Sequence, residues 1–124
     1  MIAADSSSLI AHFNDLTGGD VANLRQAMSL GELVLPPVVV TEVLSDPAVD
    51  PFIEEHVQEL AQLEIREGYW ARAGSARRLL IGRGFKARVG DALIAQSCID
   101  HGVALITRDK DFRHFARHCG LKLA

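Results

Sequence analysis

No run of apolar residues approaches the roughly 20 needed to cross a bilayer. The opening MIAADSSS also lacks the basic-then-apolar layout of a secretory signal. Together these absences predict a soluble, cytoplasmic chain. Cysteine is scarce. Cys98 and Cys119 are the only two, both in apolar or helix-like surroundings, which suits small buried hydrophobes in a reducing compartment better than a disulfide. No repeat, low-complexity segment or linker interrupts the chain. Its 124 residues, 48% of them hydrophobic, are expected to form one domain, 1–124, around a single core.

Several catalytic motifs are missing as well. Neither GGD at 18–20 nor GRG at 82–84 forms a phosphate loop of the G-x-x-x-x-G-K-[ST] type. The serines at 6–8 lack the G-x-S-x-G elbow, and His12, His56 and His101 show no nucleophile beside them, which argues against Ser-His-Asp hydrolysis. His114 and His118 are four apart, with Cys119 adjacent, a spacing zinc can use. No second Cys/His cluster complements them, and as cations near a helix C-terminus they are mildly stabilising without a metal. A receiver-like phospho-acceptor domain needs an acidic pair after the first strand and a late strand-end lysine; this chain has one Asp, at position 5, and no such lysine.

Charge is unevenly spread. Residues 1–67 hold 12 acids and 2 bases, a balance of −10, whereas residues 68–124 hold 4 acids and 11 bases, a balance of +7. From Gly68 to Gly90 there is no acid, yet Arg72, Arg77, Arg78, Arg83, Lys86 and Arg88 all fall there. A positive face of this kind favours a polyanionic partner such as RNA, although a solvated basic helix face accounts for the same residues. Tyr69 and Trp70, beside this stretch, are read as core more readily than as a platform for a base.

Hydrophobic periodicity and breakers give an alternating order of elements. MIAAD reads as a strand and SSSLIAHF as a helix that Asp5 or Ser6 can cap. GGDVANLRQAMSLG reads as a helix with caps at both ends, carrying Val21, Leu24, Met28 and Leu30 and closed by Gly31. ELVLPP is a strand, with Pro37 placed to start the short helix VVVTEVLS. DPFIEEHVQELAQ and GYWARAGSARRLLIGRG are amphipathic helices joined through a small strand, LEI. GDALIAQSCIDHG is a helix with Ala92, Ile94, Ala95, Cys98 and Ile99 inward. The strand VALIT, the helix DKDFRHFARHCG and a last strand LKLA follow. Alternating β and α over the whole length implies an α/β fold with a mostly parallel sheet covered by helices on both faces.

The acids at strand ends then draw interest, because ligands of open α/β sheets bind outside the carboxyl ends of the strands. Asp5 follows the first strand, Asp109 follows VALIT, Asp91 heads a helix, and Glu42 lies within a turn or two of ELVLPP. Each aspartate has a plainer reading as a helix cap contributing about 1 kcal/mol. Glu42 resists it, being surrounded by Val38, Val39, Val40, Val43 and Leu44 with no base within a helical turn. If the four meet, each pair at about 4 Å repels by roughly 4 kcal/mol at an effective dielectric near 20, so protonation or a bound cation is required. Carboxylate ligands select Mg²⁺ or Mn²⁺ over zinc, and such an ion supports hydrolysis of a phosphodiester.

MIAADSSSLI, VVVTEVL and GDALIAQSCIDHGVALITRDKDF, in that order and at a domain-sized spacing, resemble the PIN-domain family, most closely its VapC-like toxin ribonucleases. The resemblance implies a three-layer α/β/α fold and Mg²⁺- or Mn²⁺-dependent cleavage of single-stranded RNA. It also implies frequent homodimers and, in toxin members, inhibition by an antitoxin. By position, Asp5, Glu42 and Asp91 match the three strongest metal-associated acids, and Asp109 the variable fourth. Asp111 shares that last motif and either supplies the charge instead or caps the helix ending in HCG. Ser7 and Thr107 match positions that support a metal ligand or its water, with helix-start roles as the alternative. The rival reading is a PIN-like scaffold that holds RNA or a protein without cutting.

Overall fold

In the computed structural model, which describes residues 1–124, four short strands form one sheet with every pairing parallel. These are β1 (Ile2–Ala4), β2 (Leu33–Leu35), β3 (Ala61–Gln62) and β4 (Leu105–Ile106), in the order β3-β2-β1-β4. Ala3 pairs with Val34 on one side and Leu105 on the other, which places β1 at the centre. Seven helices fill the connections: α1 (Ser6–Phe13), α2 (Gly19–Ser29), α3 (Pro37–Leu44), α4 (Pro51–Glu59), α5 (Tyr69–Gly82), α6 (Val89–His101) and α7 (Phe112–Cys119). The result is the expected three-layer α/β/α architecture. A parallel sheet between helices is buried on both faces, and Ala3, Ala4, Leu35, Leu105 and Ile106 have almost no exposed surface. With Leu9, Val39, Ile94, Phe112 and Phe115 they belong to one core cluster of 24 residues. Each fully buried large side chain contributes about 2 kcal/mol.

Local signals set the helix ends that aim the site. Asp5 caps α1, its Oδ1 accepting from the Ser8 amide at 3.0 Å. Pro37 opens α3 within its first turn, where a missing N–H costs nothing. Gly102, at φ +63°, ends α6 in a left-handed turn whose next amide, Val103, returns to the Cys98 carbonyl at 3.1 Å and feeds β4.

The sequence-based expectations need correction at five places. The strand expected at LEI lies two residues earlier, because Leu60 already turns the chain extended and Leu63 drops into the core. LKLA contributes only a single parallel bridge, Leu123 to Leu105, at the open edge of β4. The start of α2 has no side-chain cap, since Asp20 is engaged elsewhere, and Leu30 lies exposed just past its end. Asp91 is the third residue of α6 rather than its cap, the cap position being Arg88. Asp111 stands at the cap position of α7 without making a capping bond. No helix is long and apolar enough to cross a membrane.

Candidate metal centre

The carboxyl ends of β1 and β4 and the first turns of α3 and α6 open toward a common mouth. Asp5, only 2% exposed, is held from three directions. Ser7 Oγ lies 2.8 Å from both its oxygens, the Ser8 amide donates to Oδ1, and Thr107 Oγ1 donates to Oδ2 at 2.6 Å. Burial nevertheless raises its pKa, with the Asp109 charge adding to the effect and the three hydrogen bonds opposing it. Thr107 links two acids at once, because its hydroxyl also accepts from the Asp109 amide at 3.0 Å. Asp109 Oδ1 in turn accepts from the Asp111 amide at 2.9 Å.

Asp91, Asp109 and Asp111 each present a carboxylate oxygen, all within 4.8 Å of one another. Asp91 is 7% exposed and its Oδ2 is buried with no hydrogen-bond partner. Burial and the neighbouring charges of Asp109, Glu42 and Asp111 push its pKa up to about 6, against the opposing pull of Arg88. Glu42, half-buried on α3, accepts from Ser6 Oγ at 3.0 Å and has no cation partner. Its Oε2 would stand 3.0 Å from a Cβ built on Gly90, so this glycine lets α3 and α6 approach closely beside Asp91.

The structure therefore brings Asp5, Glu42, Asp91, Asp109 and Asp111 to one neighbourhood, but not equally. The tightest set comprises Asp91, Asp109 and Asp111, whereas Asp5 joins through Thr107 and Glu42 through Gly90. Ion pairing does not compensate this charge. Only Lys86 approaches, 3.9 Å from Asp111 Oδ2 and largely exposed, a pair worth at most about 1 kcal/mol. An all-carboxylate donor set with an orphaned buried oxygen fits a hard divalent cation.

The basic segment is less uniform than its sequence implies. Arg72 is tied to Asp100 by two bonds of 3.0 and 2.6 Å, which removes it from any free positive face. Arg77 Nε donates to the Ala87 carbonyl at 2.8 Å and so braces the 83–88 loop. Arg83 donates to His118 Nδ1 at 2.8 Å. That contact, and the Phe85 ring beside both His114 and His118, leave the histidine pair poorly disposed for zinc. Arg78, Lys86 and Arg88 stay exposed. Tyr69 is core, its hydroxyl donating to the Leu93 carbonyl at 2.7 Å, but Trp70 is 66% exposed, so the core reading holds for only one of the two. Cys98 and Cys119 are free thiols, buried and half-buried respectively.

Sequence reasoning missed Ser6, Ser8, Asp20, Gly90 and Arg108. Asp20 Oδ2 accepts from both Ser8 Oγ and Arg108 Nε at 2.8 Å, and these bonds hold its carboxyl at a pKa of about 2. The only available signal was the place of Arg108 between Thr107 and Asp109.

A parallel α/β/α sandwich with uncompensated carboxylates gathered at its carboxyl edge defines an acidic-site α/β domain. The PIN domain family model matches residues 2–118, and the chain belongs to that family. Its members commonly are nucleases that bind a divalent metal. No curated protein matches the chain.

Proposed function

We propose that this chain is a single PIN-like domain that hydrolyses RNA phosphodiester bonds with Mg²⁺ or Mn²⁺, as the VapC-like toxin of a cytoplasmic toxin–antitoxin pair, probably acting through no covalent enzyme intermediate. The observation carrying the hydrolase reading is the gathering of Asp91, Asp109 and Asp111 around an unpartnered buried oxygen. The toxin assignment, a cognate antitoxin and a homodimer rest on the VapC-like order of the sequence patches.

In this reading Asp91, Asp109 and Asp111 hold the cation directly, with Asp5 and Glu42 completing the negative site. Ser7 and Thr107 fix the orientation of Asp5. When bound, the cation activates a water for attack on phosphorus and stabilises the leaving oxygen. Ser7 donates its proton to Asp5 and is thereby a support rather than a nucleophile. Arg78, Lys86 and Arg88 hold flanking phosphates, with Arg88 at the cap of α6 nearest Asp91.

Purified protein incubated with synthetic single-stranded RNA is expected to cleave it with Mg²⁺ or Mn²⁺ and to stop when a chelator is added. Cleavage insensitive to the chelator contradicts the reading. Replacing Arg78 and Arg88 together by Ala is expected to weaken RNA binding and to flatten the log–log salt dependence by about 2, roughly one per lost phosphate contact. Binding measured across a salt series checks this, and an unchanged slope moves the RNA surface elsewhere.

A further inference from the structure

Asp20 lies in the first turn of α2, where a carboxylate normally serves its own helix end. Its side chain instead reaches across to two other segments. Oδ2 accepts from Ser8 Oγ and from Arg108 Nε, both at 2.8 Å, and Oδ1 accepts from Arg108 Nη2 at 3.1 Å. The same Nη2 donates to the Thr17 carbonyl at 2.9 Å. This guanidinium is thus anchored on the α1–α2 connection by three bonds.

Both segments it joins carry the acidic site. The Ser8 amide donates to Asp5 Oδ1. Arg108 stands between Thr107, which donates to Asp5 Oδ2, and Asp109, a member of the tight carboxylate set, while its own amide contacts Ser7 Oγ at 3.4 Å. A second observation agrees. Gly18 has φ +146°, and a Cβ there would fall 2.6 Å from Asp20 Oδ1 and 3.1 Å from Arg108 Nη2. Only a glycine lets the backbone close against this ion pair.

We propose that Asp20 and Arg108 form a clasp that positions Asp5 and Asp109 for cation binding, by pinning the start of α1 to the β4–α7 loop and holding the Arg108 guanidinium away from the carboxylates. Asp20 is a positioning residue, acting through Ser8 and Arg108. The proposal rests on the metal-dependent reading above. The second part of its action is electrostatic: an arginine one residue from Asp109, if released, is a competitor for the oxygens the divalent cation needs. Partners that orient metal ligands from behind typically change metal affinity by 10- to 100-fold.

The test is Mn²⁺ binding to the full chain, followed by paramagnetic resonance, with thermal melting alongside. Asp20→Asn is expected to weaken Mn²⁺ binding about 10-fold while keeping a cooperative melt, and adding Arg108→Gln is expected to cause no further loss. Arg108→Gln alone, which leaves Asp20 on Ser8, is expected to weaken binding several-fold and serves if Asp20→Asn does not fold. Cleavage by Asp20→Asn recovers when Mn²⁺ is raised, which a general loss of packing does not produce. Wild-type binding with affinity unchanged in the variants, even if they melt earlier, overturns the clasp alone. A wild-type chain that takes up no Mn²⁺ overturns the metal reading and the clasp with it.

Discussion

Asp91→Asn is expected to abolish metal-dependent RNA cleavage, by a factor of about 10³ or more, while making the metal-free protein more stable at neutral pH. The substitution is nearly isosteric and sits where neither carboxylate oxygen accepts a hydrogen bond, with Oδ2 buried. What it removes is charge, in a place where burial and three acidic neighbours already push the carboxyl pKa up to about 6. The folded chain therefore binds this proton more tightly than the unfolded one. The stabilisation it confers is full below the ordinary carboxylate pKa and is lost as pH rises through 6. A shift of about two units corresponds to roughly 3 kcal/mol. Wild-type stability without metal should thus fall between pH 4 and pH 7 by an amount of that order, and Asp91→Asn should flatten the fall. Denaturant melts at both pH values, read beside a cleavage assay, check the two halves. A variant that loses activity because it unfolds contradicts this account.

Asp5→Ala is expected to abolish cleavage as well, but with the opposite effect on stability: a loss of about 2–4 kcal/mol at pH 7. Asp5 accepts from the Ser8 amide at the start of α1 and from the hydroxyls of Ser7 and Thr107. Deleting it leaves a helix N-terminus uncapped and strips two further donors of their acceptor in a buried place. Relief of the cost of burying its charge offsets only part of this, because the charge is already met by three donors. Thermal or denaturant melts of the two variants in chelator separate the roles. Asp91 is strain that a cation relieves, whereas Asp5 is strain that the fold itself largely satisfies. Equal stability changes of the same sign in both variants contradict this distinction.

The fold was legible where chemistry is local. An apolar strand ending in Asp5 before a run of serines, Pro37 opening α3 and Gly102 closing α6 all carry their signal within a few residues. From such signals the alternation of strands and helices, and with it the parallel sheet, follows. β3 was misplaced because it is only two residues long and the amphipathic pattern of α4 runs on into it. The strand order was not legible either, since β1 pairs with β4 across nearly the whole chain.

For the site, Asp5, Glu42, Asp91 and Asp109 stood out because each is an acid at a strand or helix end in apolar company. Their grouping into a tight and a peripheral set depends on side-chain reach that spacing does not encode. Asp111 looked like a cap until its side chain proved to belong to the cluster. Asp20 was invisible as a site residue because its partner lies 88 positions away and the motif around it, GGD, reads as a helix start. The basic stretch was over-read for the converse reason. Arg72 looks free in sequence, but its counter-ion, Asp100, comes from a different helix.

The most direct measurement is the rise in melting temperature on adding Mn²⁺ at pH 7.5, compared between wild type and Asp91→Asn. A cation that binds the native acids stabilises them by about 2.7 kcal/mol at a hundredfold excess over its Kd. For a domain of this size that is a rise on the order of 10 °C. The wild type is expected to show it and Asp91→Asn to lose nearly all of it. Equal shifts in the two proteins, or none in the wild type, would contradict the claim that these carboxylates are gathered to hold a divalent ion.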